Sequence, residues 1–196
     1  RTLADQLEEK RSLTRWALHV AIAIAVGVVA FAVLSAIAGL EDFRVETLEH
    51  SVEDAGKGAA GYFAGLAFWL ASGAVLVVFA AAVVVFFEPA AGGSGIPEVM
   101  AYLNGVAMPK VVSLRTFIGK TLSCIGAVAG GLPVGAEAPL IHLGAIVGAG
   151  VTQGRSRTLG CQTSLFREFR NNKDKRDFIT AGAACGVSAA FGAPIG

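Results

Sequence analysis

The sequence predicts an all-α membrane protein built from tilted and broken helices. Three observations lead to this fold class. Hydrophobic residues make up 54% of the 196-residue chain and charged residues only 16%, whereas a soluble domain usually carries about 25% charged residues. Of the 31 charged residues, 25 lie in the windows 1–15, 41–57 and 155–177. Glycine occurs 25 times, and several apolar segments are too short to cross a bilayer.

The first part of the chain predicts two full membrane spans. Residues 1–15 indicate a cytoplasmic amphipathic helix, and 16–40 is an apolar run long enough to cross a hydrocarbon layer of about 30 Å. The window 41–61 carries six acidic and two basic residues and predicts an external loop. The second span covers 62–88 and ends at Pro89, because proline disfavours helix in the residue before it.

Shorter helices are predicted after the second span. Apolar segments of about 10–14 residues are typical of re-entrant or buried helices, and the segments here are 94–105, 114–131, 137–152 and 178–191. The basic window 153–177 predicts a cytoplasmic loop, since Lys and Arg concentrate on that side of a membrane. The chain starts without Met and ends in apolar text, so we expect an internal fragment of a longer protein.

Pairs of glycines at four-residue spacing predict close helix packing. Such spacing lets two helix backbones approach each other in lipid, where packing replaces the hydrophobic driving force. The alternative is that glycine is simply common in membrane helices. We favour packing because the pattern occurs in four separate segments, at Gly61/Gly65, Gly126/Gly130, Gly144/Gly148 and Gly182/Gly186.

Composition and motifs disfavour several classes of function. The net charge of +1 gives no basic field for nucleic acid. The three cysteines are far apart and no His/Cys cluster has metal-ligand spacing, so we expect no metal and no cofactor. The Gly-Lys pair that ends at Lys120 resembles the end of a phosphate-binding loop, but the first glycine that such a loop requires is missing. An intramembrane hydrolase would need Ser94 and His142 within hydrogen-bond reach. Nothing in the sequence places them there, so we do not expect an enzyme.

Glu137 is the residue most informative about function. It lies between two prolines in the segment 131–139, immediately before a short apolar helix. A carboxylate inside a membrane is costly unless it is partnered, hydrated or protonated. The unpaired N–H groups of a helix N-terminus stabilise negative charge, so they are suited to hold either this carboxylate or an inorganic anion. A helix-capping glutamate at the membrane interface is the alternative interpretation.

Ser94 is the second candidate for an ion site. Glycines on both sides free its backbone, and a proline follows shortly before a helix near Glu98. The hydroxyl and the nearby N–H groups are suited to coordinate an anion, although a serine between glycines is also typical of an ordinary loop. Two broken-helix N-termini in one short stretch favour the ion site, because transporters place substrate sites at discontinuous helices.

Two further polar residues lie within apolar helices. We expect Lys120 to reach the membrane interface with its ammonium group. The alternatives are an ion pair with a carboxylate such as Glu88, or an effect on the field of a pore. His142 follows Glu137 by five residues and so falls on a different helix face. We expect this histidine to be packed or interfacial rather than part of a proton relay.

Three blocks of sequence resemble the CLC family of chloride channels and chloride/proton exchangers. Residues 93–98 (GSGIPE) match the first anion-site motif of that family in full. Residues 135–139 (GAEAP) are similar to the second motif, usually Gly-Lys/Arg-Glu-Gly-Pro. The stretch 175–194, which begins KRDF and ends AAFGAP, is similar to a third block. The sequence of residues 131–156, together with KRDF, is most similar to the endosomal and lysosomal branch of that family.

The resemblance implies an all-helical, multi-pass subunit in two inverted halves, with this chain as a first-half fragment. It also implies a voltage-gated homodimer in membrane lipid, with chloride and protons as the transported ions, in an endosomal or lysosomal type of membrane or in the plasma membrane. Glu137 would be the gating, proton-accepting glutamate, and Ser94 would coordinate chloride through its hydroxyl. The full chloride-binding set implied is Ser94, Gly95, Ile96, Pro97, Glu137, Ala138, Pro139 and Leu140.

Two residues depart from the family pattern. Ala136 replaces a Lys or Arg and removes a positive charge, while Ala138 replaces a Gly and adds a methyl group where backbone and ion come close. Ser94 in place of a proline favours chloride over nitrate, by the same resemblance. The function predicted is chloride transport by a channel or by chloride/proton exchange. A broken-helix carrier of a different ion or small solute is the alternative.

Overall fold

The structure is a computed structural model that describes residues 3–54, 58–108, 110–153, 169 and 171–194. Every regular element in these ranges is helical, which confirms the predicted fold class. In chain order the helices are α1 Leu3–Asp54, α2 Ala59–Ala82, α3 Ile96–Leu103, α4 Leu114–Ala129, α5 Glu137–Gln153 and α6 Asn172–Phe191. A π-helical turn, Val83–Phe87, extends α2, and a 3-10 turn, Pro89–Ala91, follows it.

Helix α1 is longer than the sequence pattern predicted. It runs without a break for 52 residues, about 78 Å at the usual helical rise. The prediction of a separate helix over 1–15 is therefore wrong, and so is the predicted loop over 41–61 as far as Asp54. Residues 40–54 contain neither Gly nor Pro. Arg44, Leu48 and Val52 recur at four-residue spacing and contact α2, so helical packing outweighs the density of charge.

Helix α6 begins before the predicted start at residue 178. Asn171 caps its N-terminus, with Oδ1 accepting a hydrogen bond from the Asp174 N–H at 2.7 Å. Asp174 is 4% exposed and pairs with Arg11 at 3.2 Å and with Arg15 at 3.6 Å, both on α1. The predicted loop over 153–177 therefore ends too late, because Asp174 and Asp177 already belong to α6 and pair with arginines of α1. Residues 154–168 of that loop lie outside the described residues.

Within the described ranges, two helices are long and apolar enough to cross a membrane by length and composition, Glu8–Glu53 and Ala59–Phe87. Large apolar side chains on their outer surfaces are exposed, including Phe31 at 75% and Phe86 at 85%. Apolar faces of this extent suit contact with lipid tails. Helices α3, α4 and α5 begin and end within two residues of the predicted bounds.

Helices α5 and α6 contact each other through their backbones. A Cβ atom added at Gly144 would overlap the carbonyl oxygen of Gly182, and one at Gly148 would overlap that of Phe178. A Cβ at Gly186 would lie 2.6 Å from the Leu140 carbonyl oxygen. These glycines therefore serve as the predicted packing positions, since each side chain larger than hydrogen would separate the helices.

Three glycines of the other two pairs, Gly65, Gly126 and Gly130, contribute to packing in the same way. A Cβ at Gly126 would lie 3.1 Å from the Leu76 carbonyl oxygen, and one at Gly130 would lie 2.9 Å from Val77 Cγ2, so α4 contacts α2 closely. Gly65 on α2 meets α1, where Val52 Cγ2 would lie 2.7 Å from an added Cβ. The predicted role of four-residue glycine spacing is confirmed at these contacts.

Arg44 joins three helices at one point. It is 4% exposed and donates to Ser72 Oγ and to the Trp69 carbonyl oxygen of α2, each at 3.2 Å. Another hydrogen bond reaches the Ala129 carbonyl oxygen at the end of α4. The guanidinium also stacks over the Trp69 ring, 4.2 Å from its centroid. A planar group with five donors suits this task better than a single ammonium.

A methyl group at position 144 is expected to separate α5 from α6. Gly144→Ala should lower the free energy of unfolding by about 1–3 kcal/mol, because the added carbon overlaps backbone atoms that have no alternative position. Gly150→Ala on the same helix is the matched control, since nothing lies within 4 Å of its Cβ. Thermal unfolding in detergent measures both variants. Equal loss of stability in the two would contradict the backbone contact.

Candidate functional site

The Ser94 loop connects the end of the second span to α3. Gly93 and Gly95 have φ angles of +69° and +84°, which glycine adopts at little cost. Gly95 is the N-cap of α3, and its carbonyl oxygen accepts a hydrogen bond from the Val99 N–H at 3.0 Å. The Ser94 side chain is exposed, and its Oγ accepts a hydrogen bond from the Ile96 N–H at 3.4 Å. The loop thus presents a hydroxyl group ahead of a helix N-terminus.

Glu137 is the first residue of α5. The Leu140 N–H donates to the Ala136 carbonyl oxygen at 2.9 Å, which closes the first turn. The Glu137 side chain folds back towards Gly135, where an added Cβ would lie 3.1 Å from Oε1 and overlap Oε2. Glycine at position 135 therefore leaves space for the carboxylate. The negative charge lies at the end of the helix where unpaired N–H groups favour it.

The Ser94 loop and the start of α5 line the same cavity, of about 640 Å³. Ser94 contributes from one loop, and Gly135, Ala138 and Pro139 contribute from the other. Apolar residues of α2, such as Val77, and of α4, such as Ala127, form much of the remaining wall. The structure therefore brings together two segments that are about 40 residues apart in the sequence. A few polar groups in an otherwise apolar cavity are typical of a small-ligand site.

Lys120 supplies a buried positive charge to this cavity. It is 1% exposed and lines the cavity wall, and its Nζ donates to the Gly93 carbonyl oxygen at 3.0 Å. The prediction that this side chain reaches the membrane interface is wrong, because the adjacent loop offers an internal acceptor. Glu88 instead faces the exposed Lys110, with 3.7 Å between Oε1 and Nζ. An effect of Lys120 on the field of a pore stays a prediction.

The other predicted chloride-site residues lie around the cavity rather than on its surface, and they include Glu137, which is exposed and does not line the wall. Gly95 and Leu140 are buried, and Leu140 belongs to a core cluster that also contains Ala136. Ile96 is half-buried, and Pro97 is exposed in the first turn of α3. These residues shape the two loops through their backbones.

His142 is fully buried beside the Ser94 loop, which confirms the expectation of a packed histidine. Its Nε2 lies 2.9 Å from the Val111 carbonyl oxygen. A carbonyl only accepts, so Nε2 carries the proton. Nδ1 has no hydrogen-bond partner among the described residues.

The comparisons with known proteins agree with this geometry. A family model described as "Voltage gated chloride channel" matches residues 73–196. The chain belongs to the CLC family of voltage-gated chloride channels. The matched region contains the Ser94 loop, Lys120, the start of α5 and all of α6. The family predicted from the three sequence blocks is therefore confirmed.

Curated relatives cover nearly the whole of this CLC chain. It is 40% identical over 185 residues to human "H(+)/Cl(-) exchange transporter 7", an alignment of 94% of this chain and 23% of that protein. "Chloride channel protein D" of Dictyostelium discoideum is 38% identical over 192 residues, which cover 98% of this chain and 19% of that protein. The chain thus spans about a quarter or less of the length of these relatives and lies near the branch of exchange transporter 7.

A solved CLC structure has the same fold. The "Crystal Structure of a eukaryotic CLC transporter" superimposes with a TM-score of 0.77 at 27% sequence identity. The match covers 93% of this chain and 32% of that one. The arrangement of long and broken helices described here is therefore the CLC fold over this part of the protein.

Alanine substitutions on the two sides of Ser94 are expected to differ in cost. Both Gly93 and Gly95 have positive φ, so either substitution strains the backbone. Only at Gly95 would the new Cβ also overlap the His142 ring, since nothing lies within 4 Å at Gly93. Gly95→Ala should therefore lower the free energy of unfolding by about 1–3 kcal/mol more than Gly93→Ala. Similar unfolding temperatures in detergent would argue against this contact.

Proposed function

We propose that this protein moves chloride across a membrane, and that the shared cavity forms part of the chloride path. The observation that carries the proposal is the meeting of the Ser94 loop, the N-terminus of α5 and Lys120 at one cavity. Similarity to proteins named H(+)/Cl(-) exchange transporter and chloride channel protein supports the choice of ion. The rest of the path is expected in the parts of these longer relatives that the chain does not span.

The electrostatics of the cavity favour an anion over a cation. The Lys120 ammonium group lies in the wall, and the 17-residue helix α5 begins at the cavity with unpaired N–H groups and a partial positive charge. The Ser94 hydroxyl group can also donate a hydrogen bond to an anion. This arrangement resembles anion sites at helix N-termini, and once the Glu137 carboxylate is neutral or displaced, a cation entering the same space faces repulsion. The alternative of a cation carrier is correspondingly weaker.

Glu137 acts as a protonatable gate in this proposal. Its carboxylate folds back over Gly135 at the N-terminus of α5, the helix end whose N–H groups would bind chloride in this proposal. Protonation removes the negative charge and with it the attraction to the helix end. The neutral side chain then leaves and chloride takes its place. In an exchanger the same carboxylate would also carry the proton.

The assembly and membrane are proposed from the family resemblance. We expect a homodimer with one anion path in each subunit, in an endosomal or lysosomal type of membrane. The exposed apolar surfaces of α1 and α2 are large enough for contact with lipid or with a second subunit. Cross-linking in native membranes, followed by fractionation of organelles, tests both expectations. Recovery of a monomer alone from such membranes would contradict the dimer.

Glu137→Gln is expected to remove the dependence of chloride flux on pH. In the parent protein, flux should rise as pH falls, because protonation of Glu137 opens the path. The glutamine is permanently neutral, so the variant should conduct equally at high and low pH and should lose any coupled proton movement. Chloride and proton fluxes from liposomes containing the intact protein measure both effects.

The control for this experiment is Glu41→Gln, which removes an exposed carboxylate on α1. This variant should keep the pH dependence of the parent. A Glu137→Gln protein that still shows the parent's pH dependence and proton coupling would rule out Glu137 as the gate. Proton movement in the parent at a fixed ratio to chloride indicates an exchanger, and its absence indicates a channel.

Lys120→Met is expected to weaken chloride binding at least tenfold. A charge a few ångströms from the ion, at an effective dielectric constant near 20, contributes more than the ~1.4 kcal/mol that a tenfold change requires. Lys110→Met is the matched control, because Lys110 has a side chain that is 67% exposed and pairs with Glu88. Calorimetric titration of both variants with chloride measures the difference. Equal affinities would show that Lys120 does not act on the bound anion.

A further inference from the structure

The His142 side chain fills the space between the Ser94 loop and α5. A Cβ at Gly95 would lie 2.6 Å from His142 Cγ and 2.8 Å from its Cβ, and would overlap Nδ1. The imidazole thus lies in direct contact with the α-carbon that follows Ser94. Its other nitrogen, Nε2, is fixed by the Val111 carbonyl oxygen in the segment before α4. The imidazole ring therefore connects α5 to the residue before α3 and to the segment that follows α3.

The orientation of the ring follows from its hydrogen bond. The proton on Nε2 is donated to Val111, so Nδ1 carries the lone pair and points at the α-carbon of Gly95. That contact has the direction of a weak Cα–H···N hydrogen bond. The hydrogen bond at Nε2 and the close contact with Gly95 leave this buried side chain little freedom to move.

We propose that His142 is a positioning residue that sets the distance between the Ser94 hydroxyl and the N-terminus of α5. This inference rests on the proposed chloride path, because it concerns the selectivity of the same cavity. Ser94 and Pro139 line that cavity from opposite loops, and His142 lies one helical turn beyond Pro139. The size and planarity of the ring fix how far apart the two loops lie.

The width of the gap between the two loops determines which anions fit. Chloride is a sphere, whereas nitrate is planar and broader, so a change of a few tenths of an ångström in loop separation alters their relative binding. A shorter side chain at position 142 lets the Ser94 loop approach α5, and loss of the bond to Val111 lets the loop shift. Selectivity between two substrates often depends on such small differences in contact.

The test compares chloride and nitrate permeation in liposomes that contain the intact protein. His142→Asn shortens the side chain, and His142→Leu removes the hydrogen bond to Val111 while keeping the site filled. Both are expected to change the chloride-to-nitrate permeability ratio by about threefold or more. His142→Gln, whose amide nitrogen can reach Val111, should stay closer to the parent ratio. The exposed His50 on α1 supplies the control, because His50→Leu and His50→Asn should leave the ratio unchanged.

A second measurement tests the contact with Gly95 directly. His142→Ala leaves space beside Gly95, so Gly95→Ala should change the permeability ratio less in the His142→Ala background than in the parent. A merely structural histidine would lower the unfolding temperature and leave the ratio as it was. An unchanged ratio in folded His142→Asn protein would overturn the proposal, and so would additive effects in the double variant. A parent protein that transports no chloride would instead overturn the proposed function.

Discussion

The backbone contact between α5 and α6 is the constraint on which the site depends. Glycine at positions 144, 148, 182 and 186 lets carbonyl groups of one helix lie against α-carbons of the other. Helix α5 also contacts α1, α3 and α4. Together these contacts determine where the N-terminus of α5 lies. In a lipid environment this packing replaces the hydrophobic driving force. The position of the cavity follows from it, because Ala138 and Pro139 in the first turn of α5 line its wall.

Buried positive charge in this chain is hydrogen-bonded to backbone carbonyl groups. Lys120 donates to Gly93, and Arg44 donates to Trp69 and Ala129. The Gly93 and Ala129 carbonyl groups lie at a helix break and a helix end, where helical partners are lacking and such bonds are accepted readily. For Lys120 the bond keeps the amino group in the cavity wall, whereas for Arg44 the same kind of bonding joins α1, α2 and α4.

The two departures from the family motif have different surroundings. Ala136 is buried in a core cluster with Leu140 and Leu143, a place where a Lys or Arg side chain would have to extend outwards. Ala138 lines the cavity and adds a methyl group to its wall. The loss of charge at the first position leaves Lys120 as the lysine that lines the cavity in the described part of the chain. The extra methyl group narrows the space next to the helix N-terminus.

Local sequence patterns were sufficient to predict the membrane class, the family, the short helices and the two loops at Ser94 and Glu137. These features depend on local composition, on Gly and Pro at breaks and on contiguous motifs. Three other features became evident from the folded chain: 41–54 is helical, α6 begins at Asn172, and Lys120 is buried against Gly93. Each outcome depends on a partner distant in the chain, whether an α2 surface, Arg11 and Arg15, or a loop carbonyl. The contact of His142 with Gly95 has the same origin, because it joins helices whose spacing no local pattern encodes.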